Sequence, residues 1–483
     1  MKKIKINYFK TFVFLLILIF TFILRTHNFD KTPPLGHLEE MLYAWSGLYL
    51  VETGTPVSWS TLDYPPRAEI FKGKVNFQGD PPDAYVKLYK PWLDEPPLFS
   101  LLAGWAAHLN HADRSSIIHS AYIRIPSILM AVLTTVMIFL VARLVAGYWT
   151  GILAIIVYGT TPIMVFASRM ALPENLIALI LITIVYFLIK FDVKPRLIFL
   201  LPLPLLIGMA GLSKPTGFLL LPLTLYFAFI KKYYKACIYL VLVTLFFIGA
   251  YFGYGIYYDA EIFWKIFNIQ SFRPVGFSAL GFFFTSPSYD IYTLQFVDGW
   301  YIFSLLSAFY FLFVNRNRRE WIVSFAFVFW LVIVLLTGGE GDLLPWYRFP
   351  MFPLLAILGA LGLKILVEKA NFYTTVLAAG FLLGSRHLVV NAFRPNISPT
   401  NFRIVFASLV MPSLFYSIYK KGWLKQICKI IIIGIIITGA YLNTRFIYNE
   451  FEIRCEGAEC PFGPPTALSS VYFPFIWRWI SIK

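Results

Sequence analysis

Long apolar runs separated by short clusters of Lys and Arg are the feature that most limits what this chain can become. A helix that crosses a bilayer needs roughly 20 apolar residues. Runs near that length fall at about 7–24, 121–142, 150–167, 174–189, 197–212, 215–230, 236–257, 299–314, 321–337, 346–363, 371–388, 404–419 and 427–443. That makes about thirteen candidate spans on the length criterion. Pro202 and Pro204 interrupt one run, which membrane helices tolerate because neighbouring groups satisfy the freed backbone. Composition agrees: 59% of the 483 residues are hydrophobic and only 14% charged, against about 25% charged in a soluble domain. Mean hydropathy is +0.70. The expected fold is an all-α polytopic membrane protein. Its 41 Lys+Arg against 25 Asp+Glu, a formal charge of +16, would suggest nucleic acid in a soluble chain and needs another cause here.

Topology supplies it. The first run follows Lys2, Lys3, Lys5 and Lys10, and no small-residue cleavage site precedes Arg25-Thr26-His27-Asn28. It reads as an uncleaved anchor with its N-terminus in the cytoplasm. Threading the spans alternately from there puts the N-terminus, Arg143, 190–196, 231–235, 315–320, 364–369 and 420–429 on the cytoplasmic side. Those segments hold about 20 Lys+Arg and three acids, Asp192, Glu320 and Glu368, leaving about 21 cations and 22 acids opposite, as the positive-inside rule requires. The basic excess is a signal to the membrane, and no nucleic-acid partner is expected.

On this map residues 1–443 form a transmembrane domain and 444–483 an extracytoplasmic tail. Two large extracytoplasmic loops cover 25–120 and 258–298. Within the first, 38–51 and 97–109 pattern as helices lying at the interface, with Tyr43, Trp45, Tyr49 and Trp105 as interfacial aromatics. Cys237 and Cys428 read as buried thiols. Cys455 and Cys460 flank CEGAEC and form a disulfide if the tail is outside, or are free thiols.

Charges near a bilayer are costly, so their gathering is informative. Four places face outward. His37-Leu38-Glu39-Glu40, followed by Tyr43, lies just past the first span. Glu39 and Glu40 point about 100° apart on a helix, so at most one faces a given site, and acids at a helix start also complement the macrodipole. Asp94-Glu95-Pro96-Pro97 opens the second interfacial stretch, where either acid could simply cap it. In the turn Ser168-Arg169-Met170-Ala171-Leu172-Pro173-Glu174, Arg169 and Glu174 either pair with each other, or Glu174 reaches a site beneath the first loop. Lys214 before Pro215, and Tyr347-Arg348 before Phe349-Pro350, place cations at outward turns, where they snorkel to headgroups or hold a phosphate. A transporter would set such charges near the midplane on broken helices. Their place at one face favours an enzyme working there on a lipid-linked substrate.

Six segments carry a resemblance, in order along the chain: LEEMLYAW (38–45), DEPPLFSLL (94–102), AYIRIPSILMAVL from Ala121, SRMALPENL (168–176), GLSKPTGFLLLPL (211–223) and WYRFPMFPLLAILGA (346–360). With them the chain resembles the GT-C glycosyltransferases that use a polyprenyl-phosphate sugar, in the branch of protein O-mannosyltransferases and the lipid A aminoarabinose transferase. The resemblance covers most of residues 1–365. It implies transfer of one sugar, with inversion, from a polyprenyl-phosphate donor in the bilayer to a hydroxyl of an extracytoplasmic acceptor, be it glycolipid, protein or polysaccharide. It also implies roles: Glu39 as the base, Glu40 and Glu174 orienting sugar or acceptor with Glu174 a second acid, and Lys214, Arg348, Tyr347 and Arg273 on the leaving phosphate. Tyr43, Asp94, Glu95 and Arg169 complete the expected binding residues. Two positions depart from the family: Glu39 stands where Asp is usual, and Glu95 where a Lys or His precedes Pro-Pro. No cofactor is required by this reading, and the first loop has no Asp-x-Asp for a divalent metal; Glu39, Glu40 and His37 are the residues that could bind one, and none is expected. The alternative is a transporter or flippase of lipid-linked intermediates, whose cations bind phosphate without chemistry.

Overall fold

Every apolar run is helical over most of its described part in the computed structural model, which describes residues 8–33, 35, 37–74, 85–114, 117, 120–273, 298–314, 317–338, 345–385 and 398–455. In chain order the helices are α1 (Tyr8–Thr26), α2 (Leu38–Thr53), α3 (Pro97–Leu109), α4 (Ile125–Ala146), α5 (Tyr148–Thr160), α6 (Pro162–Ala167), α7 (Pro173–Val193) and α8 (Leu203–Gly211). They continue with α9 (Leu221–Ile230), α10 (Tyr234–Ser271), α11 (Gly299–Phe313), α12 (Arg318–Thr337), α13 (Phe352–Glu368), α14 (Phe372–Ala378), α15 (Pro399–Tyr419) and α16 (Gly422–Cys455). Among the described residues, 8 helices are long and apolar enough to cross a membrane by themselves; α5, α11 and the runs 197–211, 215–230 and 372–383 are apolar but shorter.

Proline sets many of the starts. Pro97, Pro162, Pro173 and Pro399 each occupy the first helical position, where the missing N–H would have had no partner anyway. Pro162 thereby splits the run expected at 150–167 into α5 and α6. The second loop expected at 258–298 begins later than the sequence suggests: α10 runs 38 residues to Ser271, with a kink at Asp259 (φ −169°, ψ 107°). The rest of that loop, the tail beyond 455 and Cys460 lie outside the described residues. Cys237 and Cys428 are free, Cys428 fully buried.

At the centre stands α13. Phe352 to Leu363 are all buried, as expected of a helix apolar around its whole circumference. α4, α5, α7 and α11 pack around it. Outer helices expose broad apolar faces instead, with Phe9, Phe12, Leu16 and Ile19 on α1 and Ile430 and Ile437 on α16. Faces of that size require lipid, and the chain is an integral membrane protein.

The segments expected on one side of the membrane touch one another. Asp192 meets Lys231 at 3.2 Å and Arg318 at 3.5 Å, Arg319 donates to the Leu144 carbonyl, and Tyr148 donates to that of Lys10. At the opposite end α2, α3 and the turns at 168–173 and 212–215 meet, with the Leu98 N–H on the Leu212 carbonyl at 3.0 Å. Helices form over both stretches expected in the first loop, but Tyr43 and Trp45, expected as interfacial aromatics, are buried within the protein. The first loop also holds a small antiparallel sheet that an all-α expectation missed: β1 (Ser58–Trp59), β2 (Glu69–Lys74) and β3 (Tyr85–Tyr89), in the order β1-β3-β2.

α2 and α3 pack backbone against backbone. A Cβ on Gly47 would sit 1.7 Å from the Ser100 carbonyl oxygen, and one on Gly104 would sit 2.1 Å from the Gly47 carbonyl carbon. Main chain cannot yield there as a side chain would. Gly104→Val is expected to destabilise by about 1–3 kcal/mol or more, the range for overpacking. Gly249→Ala, with nothing near its Cβ, is the control. Thermal unfolding in detergent compares them.

Candidate active site

The site is built from the start of α2. His37 caps the helix by accepting the Glu39 N–H on Nδ1 at 3.3 Å. The next two side chains then diverge. Glu40 turns into the protein: Arg124 donates Nε to its Oε1 at 2.8 Å and Nη2 to its Oε2 at 2.5 Å, and the Ala171 N–H adds 2.7 Å to Oε1. The same guanidinium reaches the Phe29 and Pro33 carbonyls at 2.7 and 2.6 Å. Neither Glu40 nor Arg124 is exposed at all. Glu39 points the other way, within electrostatic reach of Lys214, Glu174, Asp94 and Arg273, and desolvation pushes its carboxyl up to about 7.

A cavity of about 290 Å³ opens beside it, lined by Asp94, Glu95, Lys214, Arg273, Gln270 and Tyr347 among others. Asp94 is held on both oxygens, by the Ser60 hydroxyl at 2.6 Å and the Tyr64 hydroxyl at 2.6 Å. Burial raises it to about 6 against the pull of those hydrogen bonds. Glu95 rises further, to about 8, because burial outweighs the nearby Lys214 and three other acids add repulsion. Its Oε2 is buried without a hydrogen-bond partner among the described residues. Lys214 precedes Pro215 in extended backbone. Its Nζ donates to Glu174 Oε1 at 2.5 Å and lies 4.3 Å from the centroid of the Tyr347 ring. Glu174, in the first turn of α7, is 1% exposed, and its Oε2 has no partner among the described residues.

Of the residues singled out in the sequence, Asp94, Glu95, Lys214, Arg273 and Tyr347 line the cavity, with Glu39 and Glu174 beside it. None of the other four lines it. Glu40 is saturated by Arg124 and the Ala171 amide. Arg169 does not pair with Glu174; it donates to the Thr32 and Leu24 carbonyls at 2.7 and 2.6 Å. Arg348 is 1% exposed, its guanidinium 5.9 Å from the Tyr301 ring. Tyr43 packs edge-on against Trp92 and Phe99. The cavity also uses Thr216, Tyr251, Gln270, Ser271 and Thr337, which sequence reasoning passed over. Gln270 and Ser271, polar residues closing the long helix, were the available signal; Gln270 donates to the Asp94 carbonyl at 2.8 Å. Among the described residues, no group of three or more His, Cys, Asp or Glu is arranged to hold a metal.

The model of the dolichyl-phosphate-mannose-protein mannosyltransferase family matches residues 94–252, which carry Asp94, Glu95, Glu174 and Lys214. No curated protein matches the chain in sequence. Among solved structures, ArnT from Cupriavidus metallidurans bound to undecaprenyl phosphate superposes with a TM-score of 0.53 at 13% identity, over 93% of this chain and 79% of that one. The chain has the GT-C fold. EmbB, an arabinosyltransferase from Mycobacterium smegmatis, shares this GT-C architecture with a TM-score of 0.55 at 11% identity, over 96% of this chain and 43% of its own length. At such identities the shared property is the GT-C fold. The chemistry rests on the cavity.

Proposed function

We propose that the protein is an inverting glycosyltransferase that moves a single sugar from a polyprenyl phosphate to a hydroxyl of an extracytoplasmic acceptor. The observation that carries this reading is the meeting of Lys214, Arg273 and Tyr347 with Asp94 and Glu95 at one cavity, with Glu39 within electrostatic reach of Lys214, Asp94 and Arg273. A solved relative of the same fold holds undecaprenyl phosphate, which supports a lipid-phosphate donor. The basic segments at the far end of the bundle support an extracytoplasmic cavity through the positive-inside rule.

The acceptor oxygen attacks the anomeric carbon as the bond from that carbon to the phosphate oxygen breaks. Its proton passes to the Glu39 carboxylate, and polyprenyl phosphate leaves. Negative charge grows on the departing phosphate, where Lys214 and Arg273 stabilise it. Glu174 fixes the Lys214 ammonium over the Tyr347 ring, so this cation is in place before the donor arrives. Glu95, neutral below about 8, adds no full charge to repel the phosphate. No metal enters any of these steps.

Mass spectrometry of lipid-linked sugars and surface glycans in cells lacking the protein tests the reading. The expected result is accumulation of one polyprenyl-phosphate sugar and loss of one glycan feature; unchanged pools of both overturn it. The base also predicts a pH profile. Glu39 must be ionised to accept a proton, and its carboxyl is raised to about 7. kcat/KM should therefore climb about tenfold per unit below pH 7 and level off above it, because this ratio reports the free enzyme.

A further inference from the structure

The helical hairpin of α9 and α10 carries an apolar groove at the end of the bundle away from the cavity. Tyr226, Phe229, Cys237, Ile238 and Leu242 line about 510 Å³ of it with almost no polar surface. Phe229 and Ile238 are 63% and 61% exposed. The groove ends at the turn joining the two helices, which holds Lys231 and Lys232, with Lys235 just inside the start of α10. The preceding turn, with Lys194 and Arg196, is fastened to it by the Tyr233 hydroxyl on the Pro195 carbonyl at 2.7 Å. Asp192 is the acid at this junction, and Lys231 and Arg318 already occupy it. Lys232 and Lys235 are exposed and make no ion pair among the described residues.

Both lysines stand against local preference. Lys232 takes the left-handed conformation, φ 61°, just past the end of α9, where glycine is the usual residue. Lys235 sits in the first turn of α10, which has no acidic residue, so its charge opposes the helix dipole. Snorkelling toward headgroups accounts for basic residues at this end in general. It does not account for an open apolar groove leading to this particular pair.

We propose that the groove and the lysines beyond it form a binding site for an anionic phospholipid, its acyl chain along α9 and α10 and its phosphate on Lys232 and Lys235. An acyl chain gains little by leaving one apolar surface for another, so the selection comes from charge. Basic pockets between membrane helices recognise anionic headgroups in this way.

The test is thermal unfolding of the detergent-purified full chain titrated with phosphatidylglycerol or phosphatidylcholine. Phosphatidylglycerol should raise Tm and phosphatidylcholine should not. For the pair Lys232→Gln and Lys235→Gln, about tenfold more phosphatidylglycerol or more is expected for the same rise. Cys237→Trp, which fills the groove, should blunt the rise with the lysines intact. The pair Lys420→Gln and Lys421→Gln removes the same charge from another turn and should behave as wild type. Equal weakening by the two lysine pairs, no weakening by the first, or an equal response to both lipids overturns the site. Transfer activity does not enter the readout, so the result stands apart from the proposed reaction.

Discussion

Glu39→Gln should cut sugar transfer by about 10²–10⁴-fold, the usual contribution of a positioned general base, while leaving donor binding in place. The substitution keeps the length of the side chain and the His37 cap, which involves only the backbone N–H of residue 39. It removes the proton acceptor and the negative charge of Glu39 beside Glu174 and Asp94. Affinity for the lipid phosphate should therefore hold or rise as kcat falls. That split matters, because a protein that only moves or binds the lipid would keep its function with a neutral residue here. The pH limb near 7 should vanish with the base. Transfer that persists at wild-type rate in Glu39→Gln would remove Glu39 from this role.

The largest loss of stability is expected at Arg124. Arg124→Met strips two charge-assisted hydrogen bonds from Glu40 and one each from the Phe29 and Pro33 carbonyls. The Ala171 N–H remains on Glu40, but the carboxylate is left buried without a counter-charge. Breaking a buried pair on one side typically costs about 3–5 kcal/mol, much of it from the stranded partner. The double variant Arg124→Met with Glu40→Gln should recover part of that loss, because a neutral amide needs no counter-charge. Thermal unfolding of both variants in detergent decides the matter. A single variant as stable as wild type would show that the pair adds nothing net. Activity should fall along with stability, because Glu40 anchors the first turn of α2 from which Glu39 projects.

The two carboxylates show how far the sequence could be read. Adjacent positions on a helix start are separated by about 100° of rotation, and nothing local says which faces a cavity. The answer lies in how α2 is turned about its axis. The Gly47–Gly104 contact with α3 and the Arg124 clamp, 84 residues away in sequence, set that rotation. The lone cations pose the same problem. Arg169, Lys214 and Arg348 all look like polar residues at helix turns, yet Arg169 ties two carbonyls, Arg348 faces inward and Lys214 alone reaches the cavity. The sheet in the first loop escaped notice for a different reason: its strands span two to six residues, too short for alternation to stand out beside the helical runs.

By itself the sequence determined that this is a polytopic helical membrane protein, where most helices begin, which segments share a side, and which short motifs carry the charge. Those properties follow from partition between lipid and water, which each segment settles alone by its length, apolar content and flanking lysines and arginines. Only the tertiary structure decided which charges meet. It turned Glu40 inward and Glu39 toward Lys214, bent α10 at Asp259, and brought Gln270, Ser271 and Arg273 to the cavity wall. Such choices depend on the rotation and tilt of helices packed against distant parts of the chain, and hydropathy along a single segment holds no record of them.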